Sequence, residues 1–223
     1  MPLPEGEVHI WLSARTAAPS SDAFLRQLLS LYLGLAPQEL SFEYGEYGKP
    51  ALANSPQNLQ FNLSHGGEWF ACAVARGMQL GLDLECCEHE REPMKLARRF
   101  YSPEEQAALA ALDGDDRRLM FYDLWTLKEA RIKAGGGALG RELESTGFRV
   151  DLLPGKANGC IAEITRPDSH AAFCCLLQAP PGYALALCAL SPPVTPPRMH
   201  LYQLHASGEK QSLRLDLRAD SHC

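Results

Sequence analysis

One long helical stretch, predicted from about Arg117 to Ala134 and closed by Gly135, Gly136 and Gly137, stands between two groups of short apolar runs with strand character. A chain patterned this way has to lay its helices on antiparallel sheet, which defines an α+β fold. Upstream, Val8 to Leu12 reads as a strand. "DAFLRQLLSLYLG", Asp22 to Gly34, has the cap, leucine spacing and terminal glycine of an amphipathic helix. "ELSFEYGEYGKPAL" gives a strand entering a Gly/Pro turn at Tyr47 to Pro50, and "LQFNLSH" gives another strand. "EWFACAVAR" and "LGLDLE", separated by "GMQ", are expected to form an antiparallel hairpin. In "YSPEEQAAL", Ser102 can cap a helix with Pro103 at its first position and Glu105 at its third. After the glycines, "GFRVDLL", "CIAEIT", "AAFCCLLQ" and "YALALCAL" supply further strands.

The expected organisation is therefore two α+β halves, residues 1–93 and 94–190, joined near Glu92 to Lys95. Residues 191–223 would follow as a proline-rich connector, "SPPVTPPR", and a C-terminal extension in which Leu213, Leu215 and Leu217 make an extra hairpin.

A hydrophobic content of 46% suits a globular protein, and a formal charge of −6 argues against a surface built to grip nucleic acid. Anionic substrates would need a local cationic pocket. The eight cysteines read as buried free thiols, since the chain is not small and its N-terminus, "MPLPEGEVHIWLSA", carries acids where a secretory leader carries positive charge. No apolar run reaches the ~18 residues of a membrane span. The expected setting is the cytosol, with no membrane and no nucleic acid partner.

In "LGLDLE" the leucines alternate with Gly81, Asp83 and Glu85, so period-two geometry puts both carboxylates on one face. That face is either the ordinary polar side of a half-buried strand or the start of a Mg²⁺ site, because hard divalent cations take oxygen ligands. On the long helix, Trp125, Glu129 and Lys133 share a face at i, i+4, i+8. Glu129 and Lys133 are either a surface ion pair contributing a few tenths of a kcal/mol or a third carboxylate with an ammonium placed for phosphate charge. Ser64 and His65 in "NLSHGG" point to opposite strand faces, which excludes a Ser-His nucleophile pair and leaves a strand-ending turn or a phosphate contact. Cys86, Cys87 and His89 lack zinc-ligand spacing, and neither "GKP" nor "GGG" sits in the context of a Walker loop. "YGKP" is a turn whose Lys49 is either solvated or in contact with an anion.

Taken in order, "YGKPAL", "FNLSHGGEW", "LGLDLE", "RFYSPEEQAAL" and "LWTLKEARIKAGGGAL" resemble the Sfp-type 4′-phosphopantetheinyl transferases, over roughly Glu39 to Leu190. The third and fifth match the family patterns G-[IVL]-D-[IVL]-E and W-[ST]-x-K-E-[AS]-x-x-K. The resemblance implies a pseudo-twofold pair of similar halves, with coenzyme A between them and its nucleotide end on the N-terminal half. It implies transfer of the phosphopantetheine arm of coenzyme A to a serine of an acyl or peptidyl carrier protein, with release of 3′,5′-ADP. By motif position Asp83, Glu85 and Glu129 would hold Mg²⁺, and Glu129 would activate the carrier serine. Lys133, with Lys128 on the same helix, would meet the pyrophosphate. Ser64 and His65 would touch phosphates, while Gly48, Lys49 and Pro50 line the nucleotide end. The two halves in one chain imply a monomer. Family members carry a longer basic segment after the first strand; here "SARTAAPSSDAFLRQLL" retains chiefly Arg15 and Arg26. Two alternatives follow: a non-catalytic relative that binds carrier protein or coenzyme A, and a Mg²⁺-dependent phosphotransferase that uses ATP.

Overall fold

The computed structural model describes residues 1–53, 58–88, 92–152, 159–164, 172–190 and 196–221. The chain opens with strand β1 (Glu7–Ala14) and helix α1 (Ser21–Leu33), whose start is fixed by Ser20 accepting from Ala23 N and whose end is fixed by Gly34 in the left-handed region. Short strands β2 (Phe42–Tyr44) and β3 (Pro50–Leu52) precede β4 (Leu59–Gly66), β5 (Trp69–Arg76) and β6 (Gln79–Cys86). Helices α2 (Pro93–Phe100), α3 (Pro103–Ala110), α4 (Gly114–Gly135) and α5 (Leu139–Glu142) follow. The last strands are β7 (Phe148–Asp151), β8 (Gly159–Glu163), β9 (Ala172–Leu177), β10 (Tyr183–Leu190), β11 (Arg198–Leu204), β12 (Lys210–Leu213) and β13 (Leu217–Asp220).

Two mixed sheets dominate, with strand orders β12-β11-β1-β5-β4 and β6-β10-β9-β13-β8-β7. Their apolar inner faces meet: Val8, Ile10, Ala71 and Ala73 of the first pack with Leu82, Leu84, Leu185 and Leu187 of the second. The outer face of the first sheet buries Trp11, Phe70 and Val74 against Phe24 and Leu28 of α1. The outer face of the second buries Cys174, Leu176 and Ala186 against Leu124, Leu127 and Ala130 of α4. Each large apolar side chain so buried contributes about 1.5–3 kcal/mol.

Three expectations are corrected here. β5 and β6 do not pair. Both edges of β5 are taken, by β1 and β4, and both of its faces are buried, so β6 crosses to the second sheet and pairs β10. The hairpin is β4–β5 instead. An N-terminal unit ending at residue 93 would therefore include a strand of the second sheet. Second, Leu213, Leu215 and Leu217 do not form a hairpin with one another: β11 runs parallel to β1, β12 folds back on β11, and β13 inserts between β9 and β8. Arg218 of β13 donates two bonds, 2.6 and 2.8 Å, to the buried Asp123 carboxylate of α4. Leu213 and Leu217 thus serve different sheets, because each inner face needs its own apolar row. Residues 191–195 of the proline-rich connector lie outside the described residues. Third, six cysteines are buried free thiols, but Cys160 is disulfide-bonded, and Cys223 lies outside the described residues.

Candidate active site

The site forms where α4 crosses β6. A β-carbon on Gly81 would lie 1.8 Å from Ala130 O and 2.4 Å from Ala134 N, so only glycine lets the helix touch the strand there. Two residues on, the same strand face presents Asp83 to the helix. α4 ends where Gly136 adopts φ 68°, and its N–H and that of Gly137 bond back to Lys133 O and Ile132 O. The glycine run is thus a helix stop placed one turn beyond Lys133.

Asp83 is buried, and its Oδ1 accepts from Lys133 Nζ at 2.5 Å and from Ser64 Oγ at 3.0 Å. Lys133 Nζ stands 3.2 Å from Glu129 Oε2, so the ammonium bridges two carboxylates. Burial works against the Lys133 charge, yet Asp83 and Glu129 hold its pKa above the usual lysine range. Burial and the charge of Asp83 push Glu129 up to about 7, with Glu85 adding to the same negative field.

These residues fit a hard divalent cation. Among the described residues Asp83 Oδ2 is buried with no hydrogen-bond partner, and Glu129 is disfavoured as an anion by burial and by the charges of Asp83 and Glu85. Lys133 is the ammonium that Asp83 and Glu129 share.

The first sheet holds the strand edge that carries Asp83. Leu82 N donates to Asn62 Oδ1 at 2.7 Å and Leu84 N donates to Ser64 Oγ at 3.2 Å, so β4 side chains satisfy backbone donors of β6. Asn62 was not singled out in the sequence. Its signal is the matched spacing of two polar residues two apart on β4 facing alternate amides of β6. Ser64 consequently holds Asp83 and β6, with no free hydroxyl for a phosphate. His65, its neighbour on the opposite strand face, is exposed.

Lys128 requires a clear correction. It turns away from Lys133 into the core, where its Nζ lies 2.7 Å from Glu105 Oε2 and 4.8 Å from the centre of the Tyr101 ring, with both charged side chains fully buried. Burial lowers its pKa despite Glu105. The reason is helical: a residue adjacent to Glu129 lies about 100° around the axis. Glu105 also caps α3 through Ser102 N at 2.7 Å and accepts from Phe148 N at 2.9 Å.

Lys49 is likewise not a solvated lysine. Gly48, at φ 78°, turns the chain so that Lys49 Nζ donates to Leu80 O at 2.9 Å and Lys133 O at 2.6 Å, and burial pushes its pKa down to about 8. It ties the turn to β6 and to the end of α4. Beside it lies a cleft of about 400 Å³ lined by Gly48, Lys49, Pro50, Asn62, Lys133 and Gly136, among others. A second cleft of about 350 Å³ shares Lys49, Pro50 and Gly136. Of the two arginines expected near the N-terminus, Arg26 is engaged with Asp22 at 2.8 Å and Leu40 O at 2.8 Å, while Arg15 lies over the Phe70 ring at 5.2 Å.

A family model described as the 4′-phosphopantetheinyl transferase superfamily matches residues 79–188, the span from the start of β6 into β10. The chain is 33% identical over 172 residues to the 4′-phosphopantetheinyl transferase Sfp of Bacillus subtilis (strain 168), covering 77% of this chain and 72% of that protein. It is 37% identical over 119 residues to the 4′-phosphopantetheinyl transferase HetI of Nostoc sp., covering 52% of this chain and 50% of HetI. Similarity to the 4′-phosphopantetheinyl transferase AcpT of Escherichia coli (strain K12) is 37% over 113 residues, 51% of this chain and 56% of AcpT.

Proposed function

Since this chain belongs to the 4′-phosphopantetheinyl transferase superfamily, we propose that it moves the phosphopantetheine arm of coenzyme A onto a serine of an acyl or peptidyl carrier protein and releases 3′,5′-ADP. The observation that carries this reading is Lys133, bridging Asp83 and Glu129 while lining the cleft beside the Gly48–Pro50 turn.

The serine hydroxyl oxygen attacks the β-phosphorus of the coenzyme A pyrophosphate, its proton passing to Glu129 directly or through water. Without a bound cation the Glu129 carboxyl is raised to about 7 by burial and by Asp83, and its carboxylate can take the proton at neutral pH. As the bond between the β-phosphorus and the bridging oxygen breaks, the electron pair leaves on 3′,5′-ADP, and the Lys133 ammonium meets that charge. A magnesium ion held by Asp83, Glu85 and Glu129 would neutralise pyrophosphate charge. Ser64 and Asn62 keep Asp83 and β6 in register against α4 throughout. Gly48, Pro50 and the stem of Lys49 line the nucleotide end on the residue 1–93 side, and His65 is the candidate for a further phosphate contact. The enzyme works as a cytosolic monomer in this reading. No helix among the described residues is long and apolar enough to cross a membrane.

The test follows coenzyme A and 3′,5′-ADP chromatographically with apo carrier protein and Mg²⁺ present. Consumption of one with appearance of the other supports the reading. Binding of coenzyme A without turnover supports a non-catalytic relative, and turnover of ATP in its place supports a different phosphotransferase.

A further inference from the structure

Away from the Asp83 cluster, β1 and β11 bring together Glu7, His9 and His200. Glu7 and His9 are two apart on β1 and share its α1-facing side, and the parallel register sets His200 beside His9. Glu7 Oε2 lies 3.6 Å from His9 Nε2 and 3.6 Å from His200 Nε2, and one ligand atom from each residue falls within 4.8 Å of the others. Two donors 3.6 Å apart, each ~2.1 Å from one ion, subtend roughly 120° there, near the tetrahedral arrangement of imidazole and carboxylate ligands. His9 is buried and its Nδ1 is 2.9 Å from the Tyr32 hydroxyl, which accepts from Trp11 Nε1 at 2.7 Å. That chain of contacts fixes the ring and aims Nε2 at Glu7, as outer partners do for metal-bound histidines. The other oxygen of Glu7 is 3.4 Å from the Arg198 guanidinium. The His200 side chain is 45% exposed, which leaves the cluster open to water on one side.

We propose that Glu7, His9 and His200 form a second metal site, separate from the carboxylate cluster at Asp83, that takes a divalent transition metal of the zinc class with a water completing its coordination. Two imidazoles with one carboxylate suit such ions and not Mg²⁺, which prefers oxygen ligands. The Asp83 cluster sits on β6 beside β4, and β5 separates β4 from β1 and β11 in the first sheet, so the two sites share no ligand. The ion would pin β11 to β1 and so hold the C-terminal segment in the first sheet. Binding to the folded chain alone then raises its thermal stability.

The experiment is equilibrium dialysis of the chelator-treated full chain against cobalt(II) and then zinc(II), with excess Mg²⁺ to occupy the carboxylate cluster. The wild type is expected to bind one equivalent with visible cobalt absorption and to melt at a higher temperature with zinc. His200→Ala should bind at least ~100-fold more weakly and Tyr32→Phe about 10–100-fold more weakly, while His205→Ala binds as the wild type does. A wild type that binds no equivalent, or a His200→Ala chain that retains it, overturns the proposal. Should a variant misfold, imidazole NMR of the unaltered chain decides. Zinc must shift the His9 and His200 signals together, and shifts confined to other histidines contradict the site.

Discussion

Lys133 Nζ lies 2.5 Å from Asp83 Oδ1, a contact between the last turn of α4 and the middle of β6 that joins positions fifty residues apart. The same ammonium reaches Glu129 at 3.2 Å, so it both holds the two acids together and faces the cleft. Replacing Lys133 with Ala is expected to lower transfer by about 10²–10³-fold through lost stabilisation of leaving-group charge. Steady-state rates with circular dichroism as a folding control check this, and a loss under tenfold in a folded variant would remove Lys133 from the chemistry.

Glu129 sets a pH dependence. Its folded pKa of about 7 stands above the ordinary 4.5, so the folded state holds the proton more tightly than the unfolded one. The resulting stabilisation is fully present below about 4.5 and is lost as pH rises through about 7. Glu129→Gln should therefore melt at least ~2 °C above the wild type at pH 8 without divalent cation, with the difference vanishing near pH 4.5. Thermal melts across that range measure it; a wild type more stable at pH 8 than the variant would refute the assignment.

Gly81 is the hinge of the contact between α4 and β6. In Gly81→Ala the new β-carbon meets helix backbone, which cannot step aside as a flexible side chain would, and the helix must lift from the strand. A destabilisation of about 1–3 kcal/mol or more is expected, with transfer falling further than stability alone predicts because Glu129 and Lys133 ride on that helix. Denaturant unfolding and rates per folded molecule separate the two effects.

The Lys128 and Glu105 pair makes the reverse prediction. Lys128→Met leaves a buried carboxylate without its counter-ion and should cost about 3–5 kcal/mol, with little change in KM for coenzyme A. Adding Glu105→Gln should recover part of the loss, since an amide tolerates burial better than an unpaired charge. A large rise in KM with unchanged stability would return Lys128 to the cleft.

The alternation of "LGLDLE" and the i, i+4 spacing of Glu129 and Lys133 made one face of β6 and one face of α4 legible, and the ordered motifs implied that they meet. Motif position sets Lys128 beside Glu129, but the helical step of about 100° turns it toward Glu105, a partner that only the packing of α3 on α4 reveals. The structural role of Ser64 and the presence of Asn62 were harder to read, because their spacing on β4 gains meaning only once β6 amides are known to face it. The route of β6 is not legible locally, because a three-residue gap fits a hairpin until both edges of β5 are known to be taken. Glu7, His9 and His200 come together only through a parallel pairing of the two chain ends, which no local period encodes.

The most direct measurement of the central claim is the intact mass of apo carrier proteins of several classes after incubation with coenzyme A, Mg²⁺ and either the wild type or Glu129→Gln. At least one carrier is predicted to gain the mass of one phosphopantetheine arm with the wild type, and to gain it at least ~100-fold more slowly with the variant. No mass gain on any carrier with the wild type, or equal rates from both proteins, would contradict the account.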